Sequence, residues 1–556
     1  MKRKFLAATL LSVILCLGGC GANPGSGSIF TEDKQESQKE EVTGSTEAAK
    51  EEKETGEQEQ TAPPKETLEP AATQKPVPPV SEQENLNEYL QVTFERTYDS
   101  AYDDSGDWIS LMYGHYDSIH LLSEEYLELK KAVEAYNATN SGGSQAYLDE
   151  LEEWAREEYG EYGEDSFRGP YVSQRDMFLR RADCQVLSVV EQFYAYSGGA
   201  HGHSGFCSVN FDVQTGEEIP LEAVIKDKKQ LLEVLETEIS EKYPDLVQWT
   251  DSLTEALQFY DEPLDPELKA EFTWTLDYDG VTFYFSNYDI AAYVAGVQQV
   301  TISCYEYPEL MEGSYFTNSP KDYVLPLNDC GMLSDVDLTG DGTTDYISVC
   351  RNYVDFTDLS ESYDVTVNGN TFTQDIYCYD LETYLVKNDG KNYLYVMRTV
   401  ENDYQYVCVF EITENSVEYL GEFSGGLKCF TNAEDFQVTS RFDMLSTYLA
   451  TADCFVGENG MPVEKGGAYQ IDFERKITST VEITAELLDE AGNLIGGTYT
   501  FPAGTAFGFV ETDGATYVDM QADDGQRCRF YTTSQWPQTI NGMDANSSFE
   551  MLWYAG

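Results

Sequence analysis

Tyr194 to Leu221 reads YAYSGGAHGHSGFCSVNFDVQTGEEIPL, and this stretch sets the frame for the rest of the chain. The residues leading into it alternate, with Leu187, Val189, Glu191, Phe193 and Ala195 on one face and Val186, Ser188, Val190, Gln192 and Tyr194 on the other. After the Gly-rich corner, Phe206, Ser208, Asn210 and Asp212 alternate with Cys207, Val209, Phe211 and Val213. A period of two in β-branched and aromatic residues predicts two strands. Gly198-Gly199 free the backbone for the corner, and Thr215-Gly216 predict a turn before Ile219 and Leu221.

Downstream, Phe283-Tyr284-Phe285, Tyr288-Asp289-Ile290-Ala291, Tyr293, Gly296 and Val300-Thr301-Ile302 form a second block. Together with Tyr196, Gly198-Gly199-Ala200-His201, Asn210-Phe211-Asp212 and Thr215-Gly216, it resembles the RsiV-like domain. That module is shared by the extracellular part of the anti-sigma factor RsiV and the non-catalytic part of the deacetylase PdaC. The resemblance implies recognition of a protein, with lysozyme the first candidate, and points to Tyr196, His201 and Tyr288 as binding residues. It implies no reaction. Neither an Asp-Asp metal motif nor a His-x-x-x-His pair is present, so deacetylase activity is not carried over. No cytoplasmic segment precedes the apolar leader, so no anti-sigma role is expected either.

Around this core, helices are expected from two starts. Ser123 with Glu124 and Glu125 would open one carrying Tyr126, Leu129, Val133 and Tyr136 on an apolar face. Ser144 would open another carrying Tyr147, Leu151 and Trp154. Leu231, Leu232, Leu235 and Ile239 mark a third. Phe272 to Leu276 and Val281 to Phe285 read as a hairpin turning at Asp279-Gly280.

At the N-terminus, Lys2-Arg3-Lys4 precedes an apolar run, Phe5 to Leu17, too short for an ordinary membrane span. It ends Leu17-Gly18-Gly19-Cys20, which resembles a bacterial lipobox. The expectation is a lipid-anchored protein on the extracytoplasmic face of the cell membrane, with Cys20 acylated. The next segment is rich in Glu, Gln, Lys, Thr, Ser and then Pro, and is too poor in aromatics to repay its ordering entropy.

Further on, Asp337-Leu338-Thr339-Gly340-Asp341-Gly342-Thr343-Thr344-Asp345 spaces oxygen donors like a calcium loop. Asp337, Thr339, Asp341, the Thr343 carbonyl and Asp345 are the candidate ligands. Ser348 stands where an EF-hand needs Glu, so the likeness is to FG-GAP-type loops. A Gly-Asp turn without metal is the alternative. Short strands with Gly and Asn-Asp turns follow to the C-terminus.

The expected organisation is a signal peptide (1–20), a tether (21–88) and an α+β RsiV-like domain (89–312). After these come a β domain with the calcium loop, propeller-like in one reading (313–465), and a small C-terminal β barrel or sandwich (466–556).

The 556 residues carry 34 basic and 100 acidic side chains, a net charge of −66. Such a polyanion excludes nucleic acid as a partner and suits a basic protein. The 40 Tyr fit half-buried strand positions or a binding face. Past Cys20 ten cysteines remain, which permit five disulfides or buried thiols; spacing does not decide between them. His201-Gly202-His203 has metal-like spacing without further ligands nearby. No catalytic motif is found. The expectation is therefore a binder rather than an enzyme. The alternative is an envelope polysaccharide-processing enzyme whose acid pair has no recognisable position in the sequence.

Overall fold

The computed structural model describes residues 90–103, 108–250, 252–260, 271–317, 319–327, 332–338, 345–353, 359–401, 404–413 and 416–555. Cys20, the tether, and Thr339, Asp341 and Thr343 lie outside these residues.

The first sheet runs in chain order: β1 (Val92–Tyr102), β2 (Ser110–Leu121), β3 (Tyr171–Ala182), β4 (Val186–Tyr196) and β5 (His203–Asp212). The two strands predicted around the corner are β4 and β5. Only β2 and β3 are parallel, because helix α1 (Leu127–Tyr162) crosses between them. A parallel pair needs such a crossover.

One continuous helix stands where the sequence suggests two. Leu129, Val133, Ser144, Leu148, Leu151, Ala155 and Glu158 are its buried residues, one stripe at helical spacing that passes through Gly142-Gly143. Two glycines cost about 1 kcal/mol each in a helix, less than the packing of the stripe against the sheet provides. Ser123 does not cap α1, since its Oγ accepts the Gln91 N–H at 3.0 Å. Gly114 on β2 admits the helix closely: a Cβ there would lie 2.6 Å from the Leu148 side chain and 2.2 Å from the Ser173 carbonyl oxygen.

A second, three-stranded sheet holds β6 (Thr273–Leu276), β7 (Gly280–Phe285) and β8 (Gln298–Ser303). Helices α2 (Lys228–Lys242) and α3 (Leu253–Gln258) supply much of its own core, with Leu231, Leu235, Ile239 and Leu257 against Leu276, Phe283, Phe285 and Ile302. Asp227 caps α2 by accepting the Lys229 and Gln230 N–H groups.

The free edge of β6 meets the first sheet through side chains. Ser208 Oγ accepts the Trp274 N–H at 3.0 Å, and Asn210 Nδ2 donates to the Trp274 carbonyl at 3.0 Å. Asn210 Oδ1 accepts the Leu276 N–H at 3.0 Å. Buried backbone groups must find partners, and here Asn210 provides two of them. Asp212, also in the central stretch, closes the Thr215-Gly216 turn by accepting the Gln214 and Thr215 N–H groups.

The rest of the chain is β. One sheet pairs β9 (Tyr323–Pro326) with four strands between Asp380 and Ser424, and another holds four strands between Met332 and Gln374. An eleven-stranded sheet starts at Gly426 and reaches Tyr531. Tyr469–Asp472 pairs with Thr447–Val456, so this sheet passes straight through residue 465. Its terminal strands do not meet, so it is no barrel. The architecture is an α+β part followed by many β strands in open sheets. Among the described residues no helix is long and apolar enough to cross a membrane. Nine described cysteines carry thiols rather than disulfides: 184, 207, 304, 350, 378, 408, 429, 454 and 528.

Candidate functional site

The corner between β4 and β5 is built around tyrosine. Gly198 takes φ 79°, and a Cβ on Gly202 would sit 2.4 Å from the Tyr194 ring, so the corner closes only with glycine there. The Tyr196 hydroxyl donates to the Arg168 carbonyl at 3.0 Å and approaches the Gly199 carbonyl at 3.4 Å. That bonding makes Tyr196 a brace of the corner more than a free contact.

The loop after β7 is stitched onto β5. Asn287 Oδ1 accepts the Ser204 N–H at 3.1 Å, Ser286 Oγ accepts the Phe206 N–H at 3.1 Å, and the Asn287 N–H returns to the Ser204 carbonyl at 3.3 Å. Within the loop, Asp289 Oδ2 accepts the Ser286 N–H at 2.7 Å and also bonds Tyr260. Burial drives the Asp289 carboxyl up to about 7, with those two hydrogen bonds opposing. Tyr288 follows Asn287 at φ 74°, a conformation a bulky residue holds only under constraint. Its ring is 45% exposed.

His201 and Tyr288, remote in sequence, meet at Tyr293. The His201 ring stacks on Tyr293 with centroids 4.4 Å apart and planes 13° apart, and the Tyr288 ring stands 5.8 Å from Tyr293, tilted by 34°. His203 turns elsewhere, edge-on to Phe193 at 5.3 Å, with its imidazole pushed down by burial. The two histidines therefore do not converge. Among the described residues no cluster of three His, Cys, Asp or Glu is placed to hold a metal.

From this ridge a row of polar and aromatic residues crosses the first sheet. The register pairs Tyr98 with His115, His115 with Gln174, Gln174 with Tyr194 and Tyr194 with Ser204. Burial and neighbouring phenols raise the Tyr194 and Tyr293 hydroxyls above their ordinary values. One hollow lies at the far, β1–β2 end of this row and another next to Tyr293, at Val294. The first, of about 480 Å³, is lined by Tyr98, Asp99, Ser100, Tyr113, Gly114, His115 and Gln174. The other, of about 340 Å³, lies among Tyr243, Leu246, Trp249 and Val294.

At the edge of the first hollow, His115 Nε2 is 2.9 Å from Asp176 Oδ1, and Arg96 bonds both Asp117 and Asp176. Burial pushes the Asp176 carboxyl up, but His115 and Arg96 outweigh it and hold the group below its usual range. Sequence reasoning missed Tyr98, Tyr113, Tyr194, Tyr293 and Trp249 as site residues. The alternation of Tyr98 with Ser100, and of Tyr113 with His115, was the available signal.

The ends of the Asp337–Asp345 loop have partners within the protein. Asp345 accepts the Leu338 N–H at 2.7 Å and Asn368 Nδ2 at 2.7 Å, and Lys387 Nζ donates to the Asp337 carbonyl at 2.7 Å. The other candidate ligands, Thr339, Asp341 and Thr343, lie outside the described residues.

Residues 222–305 match the family described as "Protein of unknown function (DUF3298)", so the chain carries a DUF3298 domain there. The domain spans α2 to β8 and includes the second of the two sequence blocks. A DUF3298 family member from Bacteroides fragilis is similar, at 16% identity over 41% of this chain and 95% of that one, with a TM-score of 0.33. A DUF3298 family protein from Pseudomonas aeruginosa is 15% identical over 41% of this chain and 98% of its own, with a TM-score of 0.28. No curated protein matches.

Proposed function

We propose that this protein is an RsiV-like recognition module, held by lipid on Cys20 at the outer face of the cell membrane, that binds a basic extracellular protein without catalysis. The observation that carries the reading is the His201–Tyr293–Tyr288 ridge, braced by hydrogen bonds from its loop to backbone groups of β5 and next to a hollow at Tyr243, Trp249 and Val294. Tyrosine gives large contact area at little entropic cost, and hot spots favour it. A net charge of −66 steers a basic partner and speeds its association. Lysozyme is the first candidate, because the sequence resembles the RsiV-like domain. The acids at the first hollow support the same reading over a polysaccharide hydrolase. Asp176, bonded to His115 and Arg96, is held below its usual range, whereas hydrolysis needs one carboxyl kept protonated.

The test is binding of lysozyme to the full chain at low salt and at about 0.5 M salt, where the Debye length is roughly 4 Å and steering fades. Affinity should persist at high salt and fall at least about tenfold in Tyr288→Ala and Tyr293→Ala. Equal binding of another basic protein, lost entirely at high salt, overturns the reading. For the anchor, Cys20→Ala should release the protein from membranes, and unchanged retention counts against acylation. Calcium at the Asp337–Asp345 loop belongs to the same proposal. Millimolar calcium should raise the melting temperature and Asp341→Ala should abolish the rise; a flat wild-type response removes the site.

A further inference from the structure

We propose that the hollow at the β1–β2 end of the face is an anchor for one cationic side chain, an arginine or lysine presented by the partner. This rests on the recognition reading above and names the chemistry of its contact. Tyr98 and Ser100 on β1, Tyr113 and His115 on β2 and Gln174 on β3 alternate onto the same face, with Tyr98 opposite His115 and Ser100 opposite Tyr113. The Tyr98 ring is 72% exposed and Tyr113 42%. About 480 Å³ gives room for one long side chain and its water, and the walls are too open to enclose a chain segment.

Elsewhere this molecule covers tyrosine rings with its own cations. Arg441 lies 4.2 Å over Tyr404, Arg398 lies 4.5 Å over Tyr406, and Arg529 lies 3.5 Å over Tyr517. Among the described residues no Lys or Arg lies over Tyr98 or Tyr113. The Tyr98 ring meets the His115 ring at 5.8 Å, and its exposed area, like that of Tyr113, is left for a cation from outside, which the ring quadrupole attracts. Arg96, two residues before Tyr98 on β1, is already bonded to Asp117 and Asp176, so its charge is matched within the protein.

Behind the wall, Asp99 adds a fixed carboxylate. Its Oδ2 accepts Gln145 Nε2 at 2.8 Å and its Oδ1 accepts the Ser100 N–H at 2.8 Å, and among the described residues no cation bonds it. Ser100 Oγ and the Gln174 amide oxygen supply acceptors at the rim for guanidinium or ammonium N–H groups. Aromatic walls, neutral acceptors and a carboxylate behind them suit a cation, and an anionic side chain would meet repulsion.

The experiment titrates the full chain with N-acetyl-arginine amide and with its neutral citrulline analogue, in wild type and in Tyr98→Ala. Tyr98 is so exposed that its truncation leaves the core intact. The arginine amide should bind saturably, and about tenfold more weakly both as citrulline and to Tyr98→Ala. Equal binding of citrulline, or indifference to Tyr98→Ala, overturns the anchor. Binding of a short neutral chitin oligosaccharide where arginine fails overturns it too and assigns the tyrosines to sugar stacking. If arginine fails while lysozyme still depends on Tyr288, the anchor is wrong and the recognition face stands. If arginine binds while no basic protein does, the anchor stands and the protein-recognition reading falls.

Discussion

Arg181→Ala should lower stability by about 3–5 kcal/mol, among the largest effects expected of any single substitution here. Arg181 is fully buried on β3, and its Nε donates to Asp183 Oδ2 at 2.6 Å, where Asp183 is fully buried as well. The guanidinium lies 5.7 Å over the Tyr278 ring and reaches the Asp277 carbonyl at 3.4 Å. A β-bulge places the pair: the β3–β4 register shifts between Leu179 and Arg181, so Arg180 is the extra residue. Arg180 meets Asp277 with both contacts at 3.2 Å.

The network then leaves the first sheet. Tyr278 stacks on Tyr323 at 4.1 Å, and Tyr323 donates to Asp279 at 2.7 Å, tying the β6–β7 turn to β9. Removing the guanidinium strands the Asp183 charge in a dry site, which costs far more than the pair contributes over an apolar replacement. Arg181→Met with Asp183→Asn should therefore recover at least half of the loss. Thermal unfolding of both variants checks this. A double variant no better than Arg181→Ala would mean that shape, not charge, governs the site.

Asp289→Asn should stabilise the protein at pH 8 and have little effect near pH 4. The carboxyl is raised from 3.8 to about 7 by burial. Between those values the native state holds a proton that the unfolded chain has released. Stability supplied by this group is therefore complete below about pH 4 and is lost as pH rises toward 7. Three units correspond to at most about 4 kcal/mol, reduced by whatever solvent reaches the half-buried group. Asparagine keeps an acceptor for the Ser286 N–H and turns its amide toward Tyr260. Chemical denaturation of wild type and variant between pH 4 and pH 8 reads the difference directly, since all other acids titrate in both. Parallel curves would refute it. Because Asp289 holds the loop that carries Tyr288, the variant should also preserve the recognition ridge.

The local patterns of this chain were enough for β4, β5, the β6–β7 hairpin and α2, but not for β1, β2 and β3. The alternation from Val186 to Val213 set β4 and β5, Asp279-Gly280 set the β6–β7 turn, and the Leu231–Ile239 periodicity set α2, because each depends on neighbours within a few residues. Ser144 opens no second helix, since α1 runs on through Gly142-Gly143 and Ser144. Only the sheet packed beneath Leu129, Val133, Leu148 and Leu151 repays the glycines.

Likewise Tyr196, His201 and Tyr288 were singled out together, yet their roles separate once the loop docks. His201 and Tyr288 converge on Tyr293, while Tyr196 bonds the corner that supports them. That convergence depends on Asn287 and Ser286 reaching Ser204 and Phe206, some 80 residues earlier in the chain. The same holds for Tyr98, Tyr113 and Tyr194, which share one face only through inter-strand register. Sequence alone determined the acidity, the tyrosine content and the strand periodicity, properties each residue carries with it. The tertiary structure decided which tyrosines meet, because register, the α1 crossover and loop docking are set by long-range packing that leaves no local pattern in the sequence.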